Sequence, residues 1–327
     1  MNLLEQQASN RRRTVIVMGL FIIFFVFLGV GFDLFFLGTG QGYVPIGALA
    51  ALGIGSAAAA AGLYNGDKAV LASTGATPLL TAVETASGED RHKLRQLQNV
   101  VDEMAIASGL PRPRVYLVPD QDPNAFATGR DPAHASIAVT RGLLDTLSRD
   151  ELQGVVAHEM SHVRNYDIRL MTVIAALVGA IVLLADWSRR MMWFGGGRRN
   201  RSRDGGGGGG GAAAAVVLVV WLIAIILAPL LAQLLAMAVS RQREYLADAS
   251  GAELTRNPGA LADALQRIEE HAEPTRSIKR GAAHLCIADP LGRRVGLKEG
   301  FWSDLFATHP PMVKRIAALR RMAYQPD

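Results

Sequence analysis

The chain has 327 residues, of which 50% are hydrophobic and 19% charged, and its mean hydropathy is +0.20. This composition excludes an intrinsically disordered chain. The single cysteine, Cys286, excludes an internal disulfide bond. The net charge is +5, and much of the positive excess lies beside hydrophobic segments. In that position it indicates how the segments are oriented in a membrane rather than a nucleic-acid-binding surface. We therefore expect membrane-spanning segments joined to a soluble lobe, with a lipid bilayer as partner and no nucleic acid.

Two hydrophobic segments predict an N-terminal membrane hairpin over residues 1–64. Thr14 to Phe32 has no charged residue, and its length of about 19 residues is close to the roughly 20 that cross a hydrocarbon core. It follows Arg11 to Arg13, and we interpret it as a retained anchor, because the apolar run is too long for a signal peptide. In Tyr43 to Tyr64, small residues recur every four positions, at Gly47, Ala51 and Gly55. This spacing allows close helix contact, although small residues are also simply tolerated in spans.

A second hydrophobic hairpin is predicted over residues 170–239. Its arms, Leu170 to Ala185 and Ala212 to Val239, have about 16 and about 28 residues and so deviate from the usual span length. The loop at 187–211 is rich in arginine and ends in seven consecutive glycines. If all four segments cross, this loop lies opposite the N-terminal arginines, against the positive-inside tendency. Either that tendency is overridden or the hairpin enters the membrane without crossing, and both cases leave its two ends on one side.

The soluble lobe is predicted in two parts, residues 65–169 and 240–327. Helical spacing of apolar residues predicts a helix over Asp90 to Leu110, with Gly109 near its end. Short β-prone runs predict a small sheet, from Arg114 to Val118, Ala125 to Thr128 and Ser136 to Thr140. Proline-opened helices are expected from Pro258 to Glu270 and from Pro310 to Met322. The predicted class is α+β, mainly helical, with about four hydrophobic helices and a small β-sheet.

A metal-binding pattern lies on a helix with a clear start signal. Ser148 and Glu151 form a capping-box pattern that predicts a helix over Leu152 to Val163. On this helix the sequence His-Glu-Met-Ser-His places His158 and His162 four residues apart on one face. Two such imidazoles can bind one zinc ion, with the glutamate, Glu159, beside a water-occupied position as general base. The alternative is two histidines on an ordinary amphipathic helix.

A third metal ligand is expected after the second hairpin, because a catalytic zinc usually has three protein ligands and one open position. Glu244 follows that hairpin, on the same membrane side as His158. Asp248 lies one turn further on and could accept a hydrogen bond from the outer ring nitrogen of a ligating histidine. The alternative for both carboxylates is a solvated helix face with Arg241 and Arg243 as partners.

The sequence resembles the HtpX-like membrane metallopeptidases, gluzincins related to the CAAX-processing endopeptidases. The resemblance covers nearly the whole chain and is carried by His158 to His162, Ser240 to Asp248, Asn124 to Gly129, Ser148 to Glu151, and Thr308 to Pro311 with Arg315. It implies a gluzincin-type lobe with His158, His162 and Glu244 as ligands of one Zn²⁺ and Glu159 as general base. It also implies proteolysis of membrane proteins in quality control at the cytoplasmic face of a bacterial inner membrane. The arginine- and glycine-rich loop departs from the common pattern.

Several further residues have a functional and a simpler interpretation. The resemblance suggests that His309 and Arg315 approach the zinc and steady an oxyanion, whereas the alternative is a loop histidine and a solvated arginine. The strand with Ala125 and Phe126 could pair with an extended substrate, or it could be an internal strand without a free edge. Asn124 is either a substrate contact or a turn residue. Asp167 is interpreted as a polar residue at a helix end rather than a ligand.

The function expected from these features is a membrane-embedded zinc endopeptidase that hydrolyses misfolded or damaged membrane proteins. A CAAX-type or single-target processing peptidase would use the same chemistry on a different substrate. A non-enzymatic adaptor with structural zinc is the third possibility, but such sites usually have four protein ligands, and no fourth Cys or His is near these residues in the sequence.

Overall fold

The computed structural model describes residues 3–34, 43–195, 241–273, 275–278, 282–290 and 310–323, with backbone only at 183–195 and 241. Helices α1, Leu3–Phe32, and α2, Ile46–Ser73, are long and apolar enough to cross a membrane. They pack closely, since a Cβ atom on Gly55 would lie only 3.1 Å from Phe25 Cβ. This contact confirms the close approach predicted from the small-residue spacing. At the far end of the hairpin, Asp33 accepts hydrogen bonds from the backbone N–H groups of Gly47 and Ala48 at the start of α2.

Both helices extend beyond the predicted apolar segments toward the soluble lobe. At the N-terminal end of α1, Gln6 and Asn10 are buried, so the helix begins well before Thr14. At the C-terminal end of α2, Asp67 accepts a 2.8 Å hydrogen bond from Arg114 in the lobe. The N-terminal end of α1 and the C-terminal end of α2 therefore lie on the same side as the lobe.

Four strands form a mixed sheet in the described part of the lobe, in the order β1-β2-β4-β3. They are β1, Thr77–Pro78; β2, Arg114–Val118; β3, Ala125–Thr128; and β4, Ser136–Thr140. Strands β2 and β4 are parallel, while β1 and β3 pair antiparallel to their neighbours. The three predicted strands are confirmed, whereas the two-residue β1 is too short to give a period-two pattern.

The helices of the lobe are α3, Leu79–Thr85; α4, Gly88–Ser108; α5, Arg141–Thr146; and α6, Arg149–Arg164. They are followed by α7, Asp167–Gly195; α8, Arg241–Thr255; α9, Pro258–Glu270; and α10, Met312–Ala323. Helix α6 is buried along most of its length, among α4, α8, α9 and the sheet. Helix α4 ends at Gly109, which adopts φ +66 as its C-cap and confirms the predicted stop.

Helices α6 and α7 meet at a bend of 85°. Helix α7 contains the third hydrophobic segment and packs against α1 and α2, as at Gly62, where a Cβ atom would lie 3.4 Å from Ala176 Cβ. The predicted set of about four hydrophobic helices thus includes two clear candidate spans and α7. The fourth segment, 212–239, and the glycine run before it lie outside the described residues.

The capping box predicted for α6 is present. The backbone N–H of Ser148 donates to Glu151 Oε2 at 2.7 Å, and the serine side chain accepts from the backbone N–H of Glu151. Replacing this serine, Ser148→Ala, should lower the free energy of unfolding by about 1 kcal/mol, because an N–H group at the helix start loses its acceptor. The measurement is thermal unfolding of the detergent-purified chain. Thr85→Ala is the control, since the hydrogen bonds of this exposed hydroxyl to described residues lie within α3. A midpoint for Ser148→Ala equal to that of the control would contradict the prediction.

Candidate metal centre

The two histidines of the His-Glu-x-x-His motif lie together on α6 and are buried. Their Nε2 atoms are 3.2 Å apart. Helix α8 brings Glu244 to the same place, with Oε2 3.7 Å from His158 Nε2 and Oε1 3.6 Å from His162 Nε2. The possible ligand atoms of these three residues all lie within 4.8 Å of one another. Two nitrogens and one carboxylate oxygen at this spacing could hold one metal ion.

A glycine on α8 allows this helix to approach the motif. A Cβ atom on Gly251 would lie 3.0 Å from His158 N, so any side chain there would push the two helices apart. Gly251 follows Glu244 by two helical turns on the same helix. The close packing at Gly251 therefore sets how near Glu244 lies to the two histidines.

Each histidine has a carboxylate beside its outer nitrogen. Asp248 Oδ1 lies 2.9 Å from His158 Nδ1, at the place expected from the sequence. His162 Nδ1 donates to Asp167 Oδ2 at 3.1 Å. A carboxylate at Nδ1 holds a proton there, so Nε2 is the ring nitrogen that a metal ion at the centre of the cluster would bind.

Asp167 was interpreted from sequence as a polar helix-end residue, and that interpretation was incomplete. It does begin α7, but it is fully buried and bonded to His162. The chain turns sharply between α6 and α7, at Tyr166 with φ 59, and this turn brings Asp167 back to the motif. A helical period cannot predict such a contact, because the helix ends before the aspartate.

The carboxyl group of Glu159 is buried next to the cluster. Neither of its oxygens has a well-formed hydrogen bond to another described residue, although the backbone N–H of Ala127 on β3 faces the carboxyl group. Burial, together with the charge of Glu244, raises the pKa of Glu159 to about 7. Such a buried carboxylate without a firm partner fits a site that receives a further group, as a metal and its water would be.

The electrostatics around His162 favour a positive charge. Burial alone lowers the pKa of His162, but the carboxylates of Asp167, Glu244 and Glu159 outweigh it and raise the pKa to about 9. A bound cation would satisfy the same carboxylates as the proton does, and the donor set therefore fits a metal ion.

Arg315 approaches the cluster from α10, as the resemblance implied. It is fully buried, so the alternative of a solvated arginine is wrong. It donates two hydrogen bonds to Asp248, of 2.8 and 2.7 Å, and its Nη1 lies 3.4 Å from Glu244 Oε2. Burial alone would raise the pKa of Asp248, but this guanidinium lowers it to about 2. His309 lies outside the described residues.

The candidate substrate-binding residues are buried on β3 and at its start. The backbone N–H of Ile287 donates to Ala125 O at 2.9 Å, and Phe126 forms an antiparallel bridge with Cys286. The side chain of Asn124 donates to Ala288 O at 2.9 Å. The outer edge of β3 is thus covered here by the chain's own residues 286–288, as in the alternative without a free edge. Substrate contact by Asn124, Ala125 and Phe126 stays a prediction that requires this segment to move away.

A buried His-Glu-x-x-His helix with a glutamate from a second helix, next to apolar helices long enough to span a bilayer, defines a membrane metallopeptidase. The sequence profile of peptidase family M48 matches residues 91–323, and the chain belongs to this family. It is therefore a metal-dependent hydrolase of peptide bonds and an integral membrane protein.

Bacterial relatives match the chain along nearly its whole length. A "Protease HtpX homolog" of Thermoanaerobacter pseudethanolicus is 42% identical over 98% of this chain and 98% of its own length. Another, from Streptococcus thermophilus, is 43% identical over 98% of this chain and 100% of its own. Among solved structures, the crystal structure of S. mikatae Ste24p covers 97% of this chain and 67% of its own, with 18% identity and a TM-score of 0.47.

Proposed function

We propose that the protein is a zinc-dependent endopeptidase in which His158, His162 and Glu244 bind a single Zn²⁺ and Glu159 is the general base. The observation that carries this proposal is the convergence of Glu244 with two histidines more than 80 positions earlier in the chain. Two imidazoles and one carboxylate are the ligand set of many catalytic zinc sites, which keep a fourth position open.

The chain's own residues have separate roles in the proposed reaction. Zinc, when bound, would acidify a water molecule and polarise the scissile carbonyl group. Glu159 takes the proton of the attacking water and passes it to the leaving amine. Asp248 orients His158, and Arg315, with His309, supplies donors for the oxyanion.

The substrates that we propose are misfolded or damaged membrane proteins, hydrolysed in quality control. The contact between the motif helix and the first apolar helix supports this: Gln7, ahead of the apolar part of α1, donates to Arg164 O at the end of the motif helix. A site that packs against a span is suited to polypeptide segments that leave the membrane.

We also propose a bacterial inner membrane with the lobe on the cytoplasmic side. The relatives are bacterial. Arg11 to Arg13 precede the first apolar segment, at the end of α1 that contacts the lobe. Positive residues next to spans favour the cytoplasmic side, so the same tendency that orients α1 orients the lobe.

Digestion of a substrate panel tests this function. The detergent-purified chain should cleave casein and several unrelated unfolded membrane proteins, and a zinc chelator should stop the cleavage until zinc is restored. Cleavage of a single prenylated or otherwise dedicated target would instead favour a processing peptidase. Zinc binding without any hydrolysis would favour the structural adaptor and refute the proposal.

A further inference from the structure

The first turns of α1 lie against the corner between α6 and α7, before the helix becomes apolar. Gln7 donates to Arg164 O at 2.8 Å, and the Arg11 guanidinium lies 4.4 Å from the centre of the Tyr166 ring. Asn10, between them on the chain, is almost fully buried. The last carbonyl groups of a helix have no partner within it, and here α1 supplies donors for them.

Asn10 bonds to both sides of this corner. Its side-chain Nδ2 donates to Asn165 O at 3.0 Å, at the end of the motif helix, and to Asp167 Oδ1 at 2.6 Å, at the start of α7. The residue between, Tyr166, has φ 59, an uncommon conformation for a residue with a side chain. The two hydrogen bonds thus connect the two helix ends across a strained residue.

The other oxygen of the same aspartate accepts from His162. Asp167 Oδ2 is 3.1 Å from His162 Nδ1, while Nη1 of the Arg243 side chain lies 3.7 Å from Oδ1. Because Asn10 and Asp167 are both buried, water cannot readily replace the amide. Without it, the carboxylate loses its short hydrogen bond at Oδ1 and can rotate, and the ring that it orients loses its fixed direction.

We propose that Asn10 is a positioning residue for the metal centre, acting through Asp167 to orient His162. This inference rests on the proposed function, in which His162 binds the metal. The turns of α1 ahead of its apolar part then support the metal centre, so the site depends on the membrane anchor.

Zinc affinity of the full-length chain in detergent, measured by competition with a chromogenic chelator, tests the inference. Asn10→Ala should weaken binding about ten-fold, at the lower end of the about 10–100-fold cost of losing partners outside the ligand shell. Asn10→Asp should weaken it more, because two carboxylates then face each other. Gln7→Ala is the matched control: it removes a hydrogen bond to the same corner but none to Asp167, and it should keep wild-type affinity.

Double variants distinguish positioning from general support of the fold. In an Asp167→Asn background, Asn10→Ala should have little further effect, since the residue through which it acts has changed. Combining Asn10→Asp with Asp167→Asn should restore part of the affinity that Asn10→Asp loses, because a donor and an acceptor again face each other. Wild-type affinity in Asn10→Ala, an equal loss in Gln7→Ala, or an undiminished loss in the Asp167→Asn background would overturn the inference. Equal zinc binding by the wild-type protein and by His162→Ala would overturn the proposed function itself.

Discussion

Glu159→Gln should reduce the turnover of peptide substrates by at least about 10²–10⁴-fold, the typical contribution of a general base. The amide has the shape of the carboxylate but cannot take a proton from water. The carboxyl group of Glu159 is buried beside the cluster, with no firm hydrogen bond in the described part of the chain, so its loss should leave the packing intact. Zinc content should stay at one per chain, because the proposed ligands are unchanged.

The measurement is the initial rate of casein cleavage, together with zinc analysis of the same sample. Glu253→Gln is the matched control, since this glutamate is exposed on α8 and distant along that helix from the proposed ligand. It should keep the wild-type rate. Undiminished cleavage by Glu159→Gln would refute the proposed role of this residue but not the proposed metal site.

Loss of a partner outside the ligand shell weakens metal binding by about 10–100-fold. Glu244→Ala should weaken zinc binding by more than this, because it removes a ligand itself. Hydrolysis should be lost with the metal. The two remaining proposed ligands both lie on one helix, so the ion would lose its ligand from α8.

Zinc titration against a chelator measures this loss, and Glu253→Ala on the same helix is the control. Thermal unfolding of the zinc-free proteins separates affinity from folding: without zinc, the two variants should unfold at similar temperatures. Full zinc affinity in Glu244→Ala would show that the third ligand lies elsewhere.

The metal motif and its helix were predictable because local patterns determine them. Ser148 and Glu151 mark the helix start, and the spacing of His158 and His162 is read directly from a helical period. The meeting with Glu244 depends on distant packing, and it was expected from the parity of the hydrophobic hairpin and from the family resemblance. The structure adds the reason why Glu244 lies so near the histidines, which is the close approach of the two helices at Gly251.

The contacts that sequence analysis missed all cross a turn or a long stretch of chain. Asp167 returns to the motif only because the chain bends by 85° after α6. Asn10 is 157 positions from the aspartate that it contacts. The covering of β3 by residues 286–288 involves a short irregular segment, which has no periodicity that could indicate a partner.

The anomalous scattering of zinc in crystals of the full chain tests the convergence of the three ligands most directly. We expect one peak at about 2.0–2.2 Å from His158 Nε2, His162 Nε2 and a Glu244 carboxylate oxygen, the usual zinc distances. A zinc peak at any other residues, or one bound by the two histidines with Glu244 turned away, would contradict the proposed site.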